Sequence, residues 1–104
     1  MIKVYLNQKN KQVLSVEITG HADSTTEMMD LVCAEVSAVS VGILNAIETM
    51  CKDSCLIQME SGYVSIEVKS NSDTLQIILK TLVIQLETII KTNKKYIKMI
   101  RREV

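Results

Sequence analysis

The chain contains no proline, tryptophan or phenylalanine, and only three glycines and one histidine occur among its 104 residues. Proline is the residue that most strongly interrupts helices, so long helices can run unbroken in this chain. Three tyrosines are the only aromatic residues, which argues against the aromatic platform on which many RNA-binding domains stack bases. We therefore expect long helices and no direct binding of nucleic acid.

Neither sign of charge is in excess, because twelve basic and twelve acidic side chains give a formal net charge of zero. A neutral chain is not attracted as a whole to nucleic acid or to an anionic membrane. The basic segment 91–102 is a local exception. We interpret it as the solvated end of a helix, where cations suit the negative end of the helix dipole.

Long apolar runs without polar interruptions are also missing, so the sequence predicts neither a secretory signal nor a membrane-spanning segment. The cysteine count of three is odd, and it fits a reducing compartment better than a disulfide framework. A chain of this length has room for one hydrophobic core. We predict a single cytoplasmic domain over residues 1–104 that makes no contact with a membrane.

Alternation of apolar and polar residues predicts a first hairpin near the N-terminus. Its strands fall near residues 2–7 and 14–19, and the polar residues 8–11 form the loop between them. The second of these strands is expected to turn three side chains toward the core, namely Leu14, Val16 and Ile18. This hairpin supplies two strands of a sheet with one buried face.

The rest of the chain predicts a helix, a second hairpin and a second helix. Apolar residues at spacings of three and four indicate a helix over 31–50. The second hairpin covers 55–69 and turns at Ser61-Gly62. Residues 70–73 offer helix-capping side chains, and the helix that follows is expected to continue to Ile97 or beyond.

The predicted fold is therefore α+β with the order ββαββα, a two-layer sandwich of two helices on one face of a four-stranded sheet. The first helix is apolar on more sides than one sheet can cover. Exposed apolar surface of this kind usually marks an interface between proteins. We expect a homodimer.

The candidate chemistry lies between the second strand and the first helix. This segment holds His21, the only histidine, and Cys33 follows twelve residues later. If Asp30 caps the helix, Cys33 falls in the first turn, where free N–H groups and the dipole favour a thiolate and an oxyanion. His21 would then act as general base and acid, and Ser37 lies four residues after the cysteine on the same helix face.

Other interpretations of these residues remain open. Residues 24–27 match a capping box, which would start the helix earlier and place Cys33 deeper in it. On spacing alone, a core cysteine and a loop-packing histidine are the commoner roles. A zinc site would need His21 and Cys33 together with Cys51 and Cys55, although their spacing matches no compact zinc module and Cys55 is expected in the core.

Two motifs favour the catalytic interpretation. Gly20-His21-Ala22 and the segment Asp30-Leu31-Val32-Cys33-Ala34-Glu35-Val36-Ser37 resemble the signature of the ribosomal-processing cysteine protease family (Prp). The resemblance covers nearly the whole chain, including its length, its element order and the later Asn45-Ala46-Ile47. It departs from the family pattern in two places, because 22–30 has no glycine and Glu35 stands where a small residue is common.

The resemblance implies that Cys33 is the nucleophile and His21 its general base and acid, with supporting roles for Gly20, Asp30 and Ser37. It also implies a homodimer and a mobile loop that orders over substrate. We expect no cofactor and no metal. The implied substrate is the N-terminal extension of a bacterial large-subunit ribosomal protein, number twenty-seven. The alternative function is a non-catalytic dimeric module that binds ribosomes or peptides.

Overall fold

The computed structural model describes residues 1–20 and 27–104, which form five strands and two helices. The elements are β1 (Ile2–Lys9), β2 (Gln12–Thr19), α1 (Glu27–Met50), β3 (Cys55–Glu60), β4 (Tyr63–Val68), α2 (Asp73–Thr92) and β5 (Ile97–Glu103). The strands form one sheet in the order β3-β4-β2-β1-β5. All neighbours are antiparallel except β1 and β5, which are parallel.

The α+β class is as predicted, but the sheet has a fifth strand where the second helix was expected to continue. Helix α2 ends at Asn93, whose backbone N–H donates to the Ile90 carbonyl at 3.1 Å and whose side chain donates to the Ile89 carbonyl at 2.8 Å. Beyond this cap, Ile97 is buried and pairs with Ile2 at the start of β5. The basic segment 91–102 is therefore divided between a helix end, a turn and an edge strand, and its interpretation as a helix end alone is wrong.

Both helices contribute to one core on a single face of the sheet. Helix α2 buries an apolar stripe along its length, because every third or fourth side chain faces the strands. Inward side chains of the three central strands complete this core: Ile2, Val4, Leu6, Val16, Ile18, Val64 and Ile66. The opposite face of the sheet is lined by polar strand residues instead.

The register of the first hairpin differs from the prediction at Leu14. Asn7 pairs with Ser15 but Gln8 pairs with Val13, so Leu14 is an extra residue in β2. A bulge of this kind reverses which side chains face the core. Val13 is consequently fully buried, while Leu14 lines the opposite, polar face.

Local signals for the turns and the second helix cap are confirmed. Gly62 has φ +71° in the turn between β3 and β4, as tight hairpins require. In the first hairpin the turn is shorter than predicted and consists of Asn10 and Lys11, with φ of 49° and 65°. At the start of α2, the Ser72 hydroxyl accepts the Leu75 N–H at 3.1 Å, which makes Ser72 the N-cap.

Helix α1 is more apolar than its position in the core requires. Its segment Asp30–Met50 is long and apolar enough to cross a bilayer by length and composition, contrary to the sequence-based expectation. A core helix meets the same criterion, and Val32, Val36, Ile43 and Ile47 are buried in the core. Only 28% of the most apolar stretch of this segment is buried. Helix α1 therefore leaves apolar side chains such as Leu31 and Val41 uncovered.

Candidate active site

Cys33 lies beside a small pocket between α1 and the turn of the β3–β4 hairpin. The pocket has a volume of about 90 Å³, and Cys33 is half-buried in its wall. Helix α1 also contributes Ser37, the end of β2 contributes Gly20, and the hairpin contributes Glu60 and Tyr63. The structure thus brings three of the predicted site residues to one cavity.

The helix start differs from the arrangement that was predicted to favour a thiolate. Helix α1 begins at Glu27, so Asp30 is not its N-cap and Cys33 is its seventh residue. Only the first four N–H groups of a helix lack an intrahelical partner. Cys33 is therefore in the second turn, and its own N–H is not free to bind an oxyanion. Asp30 lies exposed in the first turn.

Cys33 and Ser37 share one side of α1, as their spacing of four predicts. Both residues line the pocket, although Ser37 is exposed and Cys33 is half-buried. The serine hydroxyl is thus accessible to a molecule that approaches the thiol. Its position agrees with a supporting function, while the function itself stays a prediction.

Gly20 occupies a position that only glycine fits. Its φ is +98°, and a Cβ atom at this position would lie 2.5 Å from the Met1 carbonyl oxygen. The Gly20 N–H donates to the Gly62 carbonyl at 3.1 Å, which ties the end of β2 to the hairpin turn at the pocket rim. The next residue, His21, and the capping pattern at 24–26 lie outside the described residues, so the predicted dyad and the predicted loop mobility stay predictions.

The alternative zinc set is excluded because Cys33 lies in the second turn of α1, whereas Cys51 and Cys55 lie beyond its last residue. Cys51 directly follows the helix and lies 18 positions after Cys33, a separation of about 27 Å at 1.5 Å per residue. No single ion bridges that distance. Cys51 and Cys55 lie close together at the far end, where both are partly buried against the core and reduced.

The environment of the Cys55 thiol disfavours the thiolate form that a nucleophile needs. Burial raises the pKa of the Cys55 thiol above the usual 9.0, and the nearby Cys51 raises it further. A hydrogen bond from the Ser54 hydroxyl, at 3.7 Å to the sulfur, and the charge of Lys69 oppose this shift of the pKa. A thiol that keeps its proton is a poor nucleophile, so Cys55 is a structural residue.

Ser40 is a polar residue of the pocket that was not among the predicted site residues. It lines the same cavity as Cys33 and Ser37, yet it is only 1% exposed. Its hydroxyl oxygen has no hydrogen-bond partner among the described residues. The available signal was its position seven residues after Cys33, which places it on the same side of the helix.

A larger cavity on the other face of the sheet has no cysteine among the described residues that line it. It has a volume of about 770 Å³ and is lined by polar side chains that include Glu17, Glu67 and Arg102. The Arg102 guanidinium lies 4.9 Å from the centre of the Tyr5 ring, and the Tyr63 hydroxyl donates to Glu17 at 3.2 Å. None of its lining residues is a cysteine, so the smaller pocket is the candidate active site.

The sequence matches the pattern of the family described as "Cysteine protease Prp" over residues 1–98. A ribosomal processing cysteine protease Prp of Bacillus subtilis is 33% identical over 87 residues, covering 77% of this chain and 78% of the relative. The protein of that name from Staphylococcus aureus is 35% identical over 91 residues, covering 85% of each chain.

The fold of this chain is also similar to that of a solved structure of a Prp protease. The ribosomal processing protease Prp of S. aureus, in complex with a covalently linked product peptide, superposes with a TM-score of 0.87 at 31% identity. The match covers 98% of this chain and 100% of that chain. The non-catalytic binding module is not retained, because the relatives are proteases. This chain is a cysteine protease and belongs to the ribosomal-processing cysteine protease family (Prp).

Proposed function

We propose that this protease is an endopeptidase that removes the N-terminal extension of a large-subunit ribosomal protein, number twenty-seven, during ribosome assembly. The observation that carries the proposal is the position of Cys33 in a pocket whose rim includes Gly20, the residue before His21. The S. aureus relative with a covalently linked product peptide supports a peptide substrate. We place the reaction in the cytoplasm.

In the proposed mechanism, His21 takes the proton of the Cys33 thiol and the sulfur attacks the scissile carbonyl carbon. The tetrahedral intermediate collapses, the C–N bond breaks, and His21 donates the proton to the leaving amine. Water, deprotonated by His21, then attacks the thioester and releases the new carboxylate and the thiol. The Cys33 N–H lies within the helix, so other groups must hold the oxyanion.

The supporting residues follow from their positions around Cys33. Ser37 is exposed on the same side of α1, where its hydroxyl can donate to the substrate or to the dyad. Asp30 lies three residues before Cys33 and one turn nearer the start of the helix, where its carboxylate can orient the imidazole. Gly20 sets the direction in which the chain leaves β2 toward His21.

The direct test is incubation with a ribosomal-protein precursor that carries its extension, followed by intact-mass analysis. We expect the wild-type protein to remove the extension, and we expect Cys33→Ala and His21→Ala to leave the precursor uncut. Cys51→Ala is the matched control, because Cys51 lies at the far end of α1, and it should cleave normally. Full cleavage by either dyad variant would rule out the dyad.

We also propose that α1 forms the centre of a homodimer. Its outer side exposes apolar side chains at spacings of three and four residues: Leu31, Ala34, Ala38 and Val41. Small side chains within this stripe allow two helices to approach closely, and a two-fold axis would cover the same stripe on both copies. Covering it would remove from water the surface that the core leaves open.

Charge placed in the centre of this stripe should separate the subunits. Val41→Asp puts a carboxylate into the proposed contact, so we expect a monomer in sedimentation velocity at micromolar concentration. Ile77→Asp is the control, because Ile77 is 67% exposed on the other helix, outside the α1 stripe. A wild-type protein that sediments as a monomer would contradict the dimer.

A further inference from the structure

The Cys33 pocket contains one buried hydroxyl that the proposed mechanism does not use. Ser40 is 1% exposed, lines the pocket, and has no hydrogen-bond partner for its oxygen among the described residues. A buried polar group without a partner costs folding free energy, because water hydrates it in the unfolded chain. Such groups are rare in folded proteins and each calls for an explanation.

The surroundings of Ser40 are those of a binding subsite. Ile18, Val36 and Val64 are buried apolar residues that line the same pocket. The cavity of about 90 Å³ equals the volume of about three water molecules at about 30 Å³ each. It therefore admits the end of one medium-sized side chain, and Ser40 is the buried polar residue in its wall.

The position along the helix relates the subsite to the thiol. Ser40 follows Cys33 by seven residues, or about 10 Å along the axis, and both lie on the pocket side of α1. An extended peptide advances about 3.3 Å per residue. A substrate side chain that reaches Ser40 therefore belongs to a residue within about three positions of the scissile bond.

We propose that Ser40 forms the floor of a substrate subsite next to Cys33. Its hydroxyl hydrogen-bonds to the end of a substrate side chain that is apolar along its stem and polar at its tip. This inference rests on the proposed function, because it assumes that the Cys33 pocket receives a peptide. Ser40 is then a specificity-determining residue, and the unsatisfied hydroxyl of the free enzyme gains its partner when substrate binds.

The test uses synthetic peptides that span the cleaved bond and are varied at three positions on either side. At each position the peptide carries one member of a pair of similar shape, with and without a hydrogen-bonding end: Gln or Met, Asn or Leu, Thr or Val. At one position we expect wild-type kcat/KM to favour the hydrogen-bonding member by about tenfold, the effect of one neutral hydrogen bond. Ser40→Ala should abolish that preference.

Stability separates this role from a structural one. Ser40→Ala removes a buried hydroxyl that has no partner within residues 1–20 and 27–104, so its thermal midpoint should not fall below that of the wild type. Ser65→Ala, on the opposite face of the sheet, is the control and should keep the preference. If Ser40→Ala folds poorly, Ser40→Cys gives a second variant, because a thiol is similar in size but a much weaker hydrogen-bonding group.

Identical peptide preferences in wild type and Ser40→Ala would overturn the proposal and would assign the hydroxyl to a bound water or to packing. A parallel measurement uses Cys33→Ala with and without Ser40→Ala and compares the affinities for the same peptide pairs. If no peptide is cleaved by the wild type, the proposed function fails, and the affinities still test the subsite. If the double variant no longer binds the hydrogen-bonding peptide more tightly than the apolar one, the subsite is supported. If both proteins show the same difference in affinity, the subsite is refuted.

Discussion

The side-chain amide of Gln76 binds both backbone groups of Val13. The Val13 N–H donates to Gln76 Oε1 at 2.8 Å, and Gln76 Nε2 donates to the Val13 carbonyl at 2.9 Å. Val13 lies at the bulge of β2, where the regular pairing with β1 is interrupted. The pairing of β2 with β4 covers only Ser15–Thr19. The buried amide of α2 therefore supplies hydrogen-bond partners to the Val13 backbone beyond the end of that pairing, and it joins the helix layer to the sheet.

Replacing Gln76 should destabilise the fold, because its buried amide group holds the Val13 backbone. Gln76→Ala removes two buried hydrogen bonds and leaves the Val13 backbone without partners, which should cost about 2–4 kcal/mol of unfolding free energy. Denaturant unfolding measures this cost. Gln85→Ala is the matched control on the same helix, because Gln85 Oε1 has no partner in the part of the chain that the structure describes, and it should cost less than about 1 kcal/mol. Equal costs would contradict the bridging role.

The three thiols should differ in reactivity. Cys33 lines the open pocket, while burial raises the pKa of Cys55. We expect a thiol reagent, followed by peptide mass mapping, to label Cys33 first at neutral pH and Cys55 last. Labelling of Cys55 should accelerate only above the usual thiol pKa of 9.0. Preferential labelling of Cys55 at neutral pH would contradict this assignment.

The raised pKa of Cys55 also predicts how stability depends on pH. The folded chain keeps the Cys55 proton at a pH where the unfolded chain releases it, so the stabilising contribution is complete below about pH 9. It is lost as the pH rises through the folded-state pKa. Denaturant unfolding across this range should show a smaller decline in stability for Cys55→Ala than for the wild type. An equal loss of stability with rising pH in Cys55→Ala and the wild type would show that Cys55 does not cause the pH dependence.

The fifth strand should be necessary for folding. Ile97 is fully buried at the start of β5 and pairs with Ile2, so Ile97→Ala should cost about 2–5 kcal/mol of unfolding free energy. Ile100→Ala tests the other face of the same strand. Since Ile100 is only partly buried, its loss should cost about 1 kcal/mol or less. A chain that tolerated Ile97→Ala equally well would show that β5 is dispensable.

Gly20 should resist substitution. Gly20→Ala adds a Cβ atom that would lie 2.5 Å from the Met1 carbonyl oxygen, at a φ of +98° that L-residues rarely adopt. We expect thermal unfolding to show a loss of stability of about 1–3 kcal/mol. Gly42→Ala is the control on α1, where an added Cβ meets no atom within 4 Å and alanine favours the helix. Its midpoint should not fall.

Local patterns in the sequence were sufficient for much of the fold. Period-two alternation located four strands, and the spacing of Leu75, Leu79, Leu82 and Leu86 gave the buried face of α2. The capping serine and the turn glycine act through neighbouring backbone, so their effects are readable from sequence. Cys33 and Ser37 were also placed correctly on one side of α1, because that relation depends only on helical geometry.

Longer-range interactions decided the rest. The segment Ile97–Glu103 was expected to continue the helix or its solvated end, and it forms β5 because β1 offers a free edge. Leu14 faces away from the core because a bulge, supported by Gln76 from α2, changes the register. Helix α1 begins at Glu27, so Cys33 lies outside its first turn. The local sequence offered two helix starts, a cap at Asp30 and a capping box at 24–27, and could not decide between them.

The sequence by itself determined the class of chemistry, because the motifs around His21 and Cys33 identify a protease family before any coordinates are considered. The tertiary structure alone decided the composition of the pocket. It brought Gly20 and the β3–β4 hairpin to Cys33, and it buried the Ser40 hydroxyl beside them without a partner. The physical reason is that helical spacing predicts which side chains share a face, whereas burial and hydrogen bonding depend on what packs against that face.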